Sequence, residues 1–319
     1  FPTPLFAHLS GRAAWQTDIS VRGRSSEVIL RSDLQGVASS LPAPFNKSAT
    51  DKRPLKVSLT PSGDGAAQLL ALSLGDNLKA EVLRRRGADG WSVVRGGIAL
   101  NQALRQADEG ILVGARLAQL DVDAWLRAID DGSATPAPAT DGAEVAGWPL
   151  AAVNLQTEDL RVLGEHMGRV DLQATADKGG WKGTVASDSA DGSFDWRRRD
   201  AGTLRARLSR LAIDPSEKAT PTPDGTQVAA TEDATKSLPT LDVISERFLL
   251  RGKNLGRLEL QARNREGVWL LDSVSLASPE GSLRGDGRWR PGQRSELSVN
   301  IETKDVGRYL AQIGYPDAV

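Results

Sequence analysis

Along Arg257–Arg263, apolar and polar residues alternate strictly, the period of a strand with one covered face. Arg169–Thr175, Lys56–Thr60, Leu204–Leu208 and Leu297–Ile301 carry the same pattern. Turn signals lie between such runs, at Asn264–Gly267, Ala176–Gly180 and Gly87–Gly90. The pattern predicts a meander of antiparallel strands with one apolar and one polar face. Helix is scarce. Asp121–Ile129 has the acidic start and apolar spacing of a short helix, and Lys304–Ile313 is its counterpart near the end. Residues 131–146 and 214–237, rich in Pro, Ala, Thr, Asp and Gly without apolar periodicity, read as flexible loops. Leu41–Phe45 must be extended or turned, because each proline disfavours a helical residue before it.

The strands recur. "MGRVDLQATADKGGWKG" (Met167–Gly183) and "LGRLELQARNREGVWLL" (Leu255–Leu271) share a Gly-Arg start, an alternating run, a charged turn and a tryptophan, with equal spacing from glycine to tryptophan. Asp191–Arg199 resembles Glu280–Arg290, and Leu204–Ile213 resembles Glu296–Val306. A fainter copy spans Leu78–Trp91 and closes with Ala115–Leu126, echoed by Val299–Leu310. Trp91, Trp181 and Trp269 mark the copies, each opening a strand after a turn, where tryptophan ordinarily caps a core and anchors a hairpin. The chain therefore divides into an opening segment (1–60, with the LPAPFNK stretch), repeat units at 61–130, 147–213 and 238–319, and loops at 131–146 and 214–237.

Composition narrows the function more than it names it. Hydrophobic residues are 39% and aromatics only 5%, so the apolar positions are mostly aliphatic. Forty basic against 41 acidic residues leave a formal charge of -1 and no reason to expect nucleic acid as a partner. Cysteine is absent, which removes disulfides and thiolate metal sites. No apolar run is long enough to span a bilayer. The chain opens on Phe1-Pro2 without a methionine, as an internal piece of a longer protein would.

Catalytic constellations are missing. His8 and His166 stand in unrelated contexts without ligand-like neighbours, and no phosphate loop or nucleophile elbow occurs. Gly285–Gly287 is half a dinucleotide fingerprint and reads as a bulge or turn. Asp188–Gly192 lacks ligands that a calcium loop needs and reads as a hairpin turn. No cofactor or metal is expected, and no enzyme. The triplets Arg84–Arg86 and Arg197–Arg199 could grip phosphate, but in a strand consecutive side chains point to opposite faces, so neither forms one patch.

A sheet with one apolar face must cover it, by a second sheet, by closure, or with something other than this chain. The inner face would carry Val57, Leu59, Val170 and Leu172 from the earlier strands. Leu204, Leu208, Leu258, Leu260, Val274 and Leu276 would follow, and Leu297, Val299 and Ile301 would come last. Two weak helices are too little to cover it. The fold class is mainly β: an elongated antiparallel sheet curled into a repeating β-groove with one or two short helices.

Two segments resemble a known family. Ser32–Val57 ("SDLQGVASSLPAPFNKSATDKRPLKV") is similar to a segment of the YhdP family of AsmA-like proteins, and Leu238–Trp289 resembles a later unit of the same family. The copy at Trp148–Ile213 departs from that pattern, lacking the Gly-x-Gly before its Trp and a counterpart of Pro279. The resemblance implies a periplasmic section of an envelope protein of Gram-negative bacteria, anchored in the inner membrane outside this segment. It implies a hydrophobic β-groove that shields phospholipid acyl chains between inner and outer membranes, with envelope proteins as further partners. The alternative is a structural or assembly module of the envelope that carries no lipid.

Overall fold

A computed structural model of the chain describes residues 4–22, 25–62, 65–88, 90–131, 144–145, 148–162, 164–198, 202–214, 239–265, 268–289 and 296–307. The chain groups into two compact units, Phe1–Ala176 and Asp177–Val319. No helix among the described residues is long and apolar enough to cross a membrane.

The first unit opens with a 3-10 turn at Pro4–His8 and a small antiparallel pair, β1 (Leu9–Gly11) with β4 (Val37–Ser39). Its main sheet contains β2 (Gln16–Arg22), β3 (Ser25–Ser32), β5 (Leu55–Ser62), β6 (Ala67–Leu74) and β7 (Leu78–Gly87). It continues with β8 (Gly90–Leu100), β9 (Gly110–Asp121), β11 (Trp148–Val162) and β12 (Glu165–Asp177). Neighbours pair in that order. Helix α1 (Val122–Asp131) follows β9, and the two-residue β10 (Glu144–Val145) pairs with the start of β11. The second unit is a sheet of β13 (Gly180–Ser187), β14 (Ala190–Arg197), β15 (Thr203–Ile213) and β16 (Thr240–Leu250), continued by β17 (Lys253–Arg265), β18 (Val268–Ser278), β19 (Gly281–Trp289) and β20 (Glu296–Thr303). These strands pair in chain order. Among the described residues neither sheet closes on itself: β2 pairs with β3 alone, and β20 with β19 alone.

The sheets are mixed rather than wholly antiparallel. Three pairings are parallel: β8 with β9, β9 with β11, and β15 with β16. The last two follow from long connections that carry the chain back before the next copy begins. The first reflects a copy that is one strand shorter. Aligned on their tryptophans, the later copies run through five successive strands, β11–β15 and β16–β20. The earliest copy has no counterpart of β14 or β19. Removing one strand from a meander leaves its former neighbours running the same way, so β8 and β9 must pair in parallel.

Residues 101–109 make that crossover, lying flat on the polar face of β8. The Ala107 amide donates to the Gly96 carbonyl at 3.1 Å. A methyl group on Gly97 would stand 1.9 Å from the Arg105 carbonyl oxygen. Gly97→Ala must therefore push the crossover off the sheet. We expect a loss of about 1–3 kcal/mol in a urea titration, the usual range for overpacking.

Bulges interrupt β8, β11, β15, β17 and β18, and bulges bend strands. Gly285 and Gly287 lie in mid-strand in β19, not at a turn, opposite the irregularity between Leu271 and Val274 in β18. Asp188 and Ser189 do form the hairpin turn between β13 and β14. Most of the two loops expected at 131–146 and 214–237 lies outside the described residues, as does 308–319, which holds most of the expected last helix. Within the first loop, Asp131 ends α1 and Glu144–Val145 forms β10, so its bounds are narrower than expected.

Helix α1 starts where expected. The Asp121 carboxylate accepts the Ala124 amide at 2.7 Å, an N-cap. Trp125 meets Phe45 edge to face at 5.8 Å, joining the helix to the LPAPFNK segment. His8 joins it to the 3-10 turn, donating from Nε2 to the Ala128 carbonyl at 2.7 Å. This assembly sits at the end of β9 and against β11.

Candidate functional site: one apolar face in each unit

Residues opposite one another in a ladder share a face, so register places every side chain. In the first unit one row runs Val28, Leu59, Leu70, Val82, Gly96 and Ile111. The next runs Leu30, Val57, Leu72, Ala80, Ile98 and Val113, and passes through Val153 to Ala174. Leu155 with Leu172, and Thr157 with Val170, extend the same face on β11 and β12.

The second unit repeats this. Its first row is Val185, Gly192, Leu208, Ser245, Leu258, Leu276, Leu283 and Ile301. Its second is Gly183, Phe194, Ala206, Val243, Leu260, Val274, Gly285 and Val299. Its third joins Trp181, Trp196, Leu204, Leu241, Ala262, Leu271, Gly287 and Leu297. Val57, Leu59, Val170 and Leu172 thus share one face, and the nine later positions, from Leu204 to Ile301, share the corresponding face of the other unit.

Almost nothing lies over these faces. Among the described residues, every substantial contact between strands is between ladder neighbours, and α1 is the one helix packed on a strand of the sheets. Even so, Val82, Ile111, Val170, Leu208, Leu258 and Ala262 are buried. Among the described residues no second layer supplies this burial, so side chains of one face shield each other, as on the inner face of a curled sheet. Two regimes follow. Phe248, Leu255, Leu258 and Leu276 form a closed cluster. Val57, Leu59, Leu172, Leu204, Leu260 and Val274 stay half-buried and reachable. On the edge strand β20, Leu297 is 63% exposed, and Val299 and Ile301 are also open to solvent.

The polar faces are laced with ion pairs. Arg210 meets Asp191 at 2.8 Å, Arg207 meets Asp242 at 3.0 Å, and Arg257 bridges Glu246 and Glu259. Hydrogen bonds from Lys182 and Arg197 hold the Asp177 carboxyl below the usual carboxylate range. These pairs range from half-buried to exposed and stay in touch with solvent, and such pairs are worth about 0–1 kcal/mol each. His166 belongs here too. Partial burial tends to raise the Asp159 carboxyl, but bonds from His166 at 3.0 Å and from Arg161 outweigh it and hold it low.

The second unit's paired apolar rows contain no charged residue. In the first unit, outside the ends of β9 and β11 next to α1, the charges on this face among the described residues are Arg84 and Arg86. Both follow Val82 in period two, a signal present in the sequence, while Arg85 points to the other face. Trp91, Trp181 and Trp269 each stand second in their strands, at one margin of the apolar face. The Trp269 indole donates to the Pro239 carbonyl at 3.5 Å.

Several members of the face escaped the sequence. β6 reads as continuous aliphatics, because Leu69 on the opposite face hides the alternation of Leu70, Leu72 and Leu74. Bulges in β8 and β18 shift the period by one residue.

An open, single-layer β-sheet with an uncovered aliphatic face and few helices defines the class: a β-groove protein. The chain belongs to the YhdP family, whose model, described as YhdP protein, matches residues 1–319. Membership points to an envelope protein of the AsmA-like type. No curated protein and no solved structure matches the chain.

Proposed function

We propose that this chain is a section of a bridge-like lipid-transfer protein, shielding phospholipid acyl chains on its apolar face between the inner and outer membranes. In this reading it works in the periplasm, as part of a protein anchored in the inner membrane, and catalyses no covalent step. One observation carries the reading. The half-buried aliphatics of each unit line rows that run from strand to strand, free of charge over nearly their whole extent, with no second protein layer above them among the described residues. An acyl chain laid there gains about 0.8 kcal/mol for each methylene removed from water. Head groups stay at the margin, where tryptophans stand. Passage needs only a continuous surface.

Native mass spectrometry of the purified chain tests this. Retained phospholipid, lost when Val57 and Leu72 are both replaced by Asp in a still-folded protein, is the expected result. A folded chain that takes up no diacyl lipid from vesicles would overturn the proposal.

A further inference from the structure

We propose that Arg84 and Arg86, with Gln68 and Trp91, form a site for the phosphate group of an anionic amphiphile whose chains lie on the apolar face of the first unit. This rests on the reading of that face as an acyl-chain surface and adds to it where the head group is held. The placement is unusual. Two guanidinium groups point to the apolar face, one strand step apart in period two, while elsewhere cations gather on the polar face beside carboxylates. Among the described residues, no carboxylate pairs with either of them. Among the described residues, two positive charges thus stand together at the end of an aliphatic surface with only neutral side chains as partners.

Arg84 is also pre-oriented. Its Nε and Nη2 donate to Gln68 Oε1 at 3.1 and 2.8 Å, and its Cζ lies 4.7 Å from the centroid of the Trp91 ring. Both partners are neutral, so they fix the guanidinium without cancelling its charge. Two of its five N–H donors are used, and the rest are available in the planar fork that suits phosphate oxygens. Arg86 is exposed and sits opposite Trp91 in the ladder, within reach of the same anion. Below this pair the face continues through Val82 and Ala80 to Leu78, about 13 Å of apolar strand, enough for part of an acyl chain to follow. The charges thus sit where a head group would emerge from chains held on the face. Phosphate fits better than carboxylate, because three oxygens can engage both guanidinium groups at once.

The experiment compares binding of phosphatidic acid and of diacylglycerol with identical chains to the whole chain, with inorganic phosphate as a third probe. Wild type should prefer phosphatidic acid by roughly tenfold or more, the scale of charge-assisted hydrogen bonds. Arg84→Gln with Arg86→Gln should abolish the preference and leave diacylglycerol binding unchanged. Arg84→Lys should retain part of the preference, which guards against misfolding as the cause. A double variant that keeps the preference overturns the site while leaving the acyl-chain surface standing. If neither amphiphile binds wild type, both fall. Inorganic phosphate binding as tightly as phosphatidic acid, and dependent on Arg84, would assign the site to a free anion and overturn the head-group proposal.

Discussion

Leu258→Asp will unfold the second unit, whereas Leu260→Asp will leave it folded and unable to hold acyl chains. The two residues are two positions apart on one strand and share a face, so period alone treats them alike. Packing separates them. Leu258 is 5% exposed, opposite Ser245 and Leu276, inside the cluster with Phe248 and Leu255. A carboxylate there has no cation within the cluster and no route to water. Burying an unpaired ionised group costs several kcal/mol even after relaxation, which is comparable with the whole stability of an ordinary domain, about 5–15 kcal/mol. Leu260, opposite Val243 and Val274, packs against the margin of that cluster but is only half-buried, and an aspartate there can turn toward the open side. Its cost should be about 1–2 kcal/mol, within the common range for point substitutions. Urea titration followed by far-ultraviolet circular dichroism measures the first effect. Lipid retention in native mass spectrometry measures the second, with an expected loss of tenfold or more if an acyl chain must pass a charge on its own surface. Equal unfolding by both variants would make the whole face a closed core. A folded Leu258→Asp would show that the cluster is not closed.

The same pair shows how far the sequence could be read. Period-two alternation identifies the apolar face wherever the opposite face is polar, as in Lys56–Thr60 and Arg257–Arg263. It fails in β6, where both faces are aliphatic, and across bulges, where one extra residue inverts the count. Closure around Leu258 was not legible, because it depends on Phe248 and Leu255 arriving from the bulged end of the β16–β17 hairpin. The parallel junctions were equally hidden. A meander with all its turns predicts antiparallel neighbours, and a missing strand, as at 101–109, or a long return connection, as before β11 and β16, changes direction without changing local pattern. The arginines at 84 and 86 were legible as a triplet, but their shared face needed the register from Val82 outward.

Lys47→Met will release the opening segment from the rest of the first unit while the strands stay paired. Lys47 is 9% exposed, and its amine donates to the carbonyls of Leu34, Val37 and Ser48 at 2.8, 2.8 and 2.9 Å. All three of its N–H donors are used, on backbone oxygens alone. Its own backbone bonds Ser39 in both directions, at 2.8 and 3.0 Å. The segment from Asp33 to Ser48 is thus wrapped around one side chain rather than around a hydrophobic core. Methionine fills similar space but donates nothing, leaving three carbonyls aimed at a thioether. Each lost hydrogen bond from a charged donor is worth about 1.5–3 kcal/mol, so the segment should lose roughly 3–6 kcal/mol after partial access to water. Phe45 would then leave the edge of Trp125, while α1 keeps its attachments to His8, to β11 and, through the Asp123 carboxylate, to the Gly164 amide at 2.7 Å. Hydrogen exchange should rise by about a hundredfold or more over 33–53 and over 122–131, with little change in β5–β8, whose ladders do not involve the segment. Uniform exchange across the whole first unit would instead make Lys47 part of the global fold, and unchanged exchange would show that the three carbonyls find water at no cost. The expected pattern would make the LPAPFNK stretch a separately stabilised cap, built on one lysine, beside a groove that stands without it.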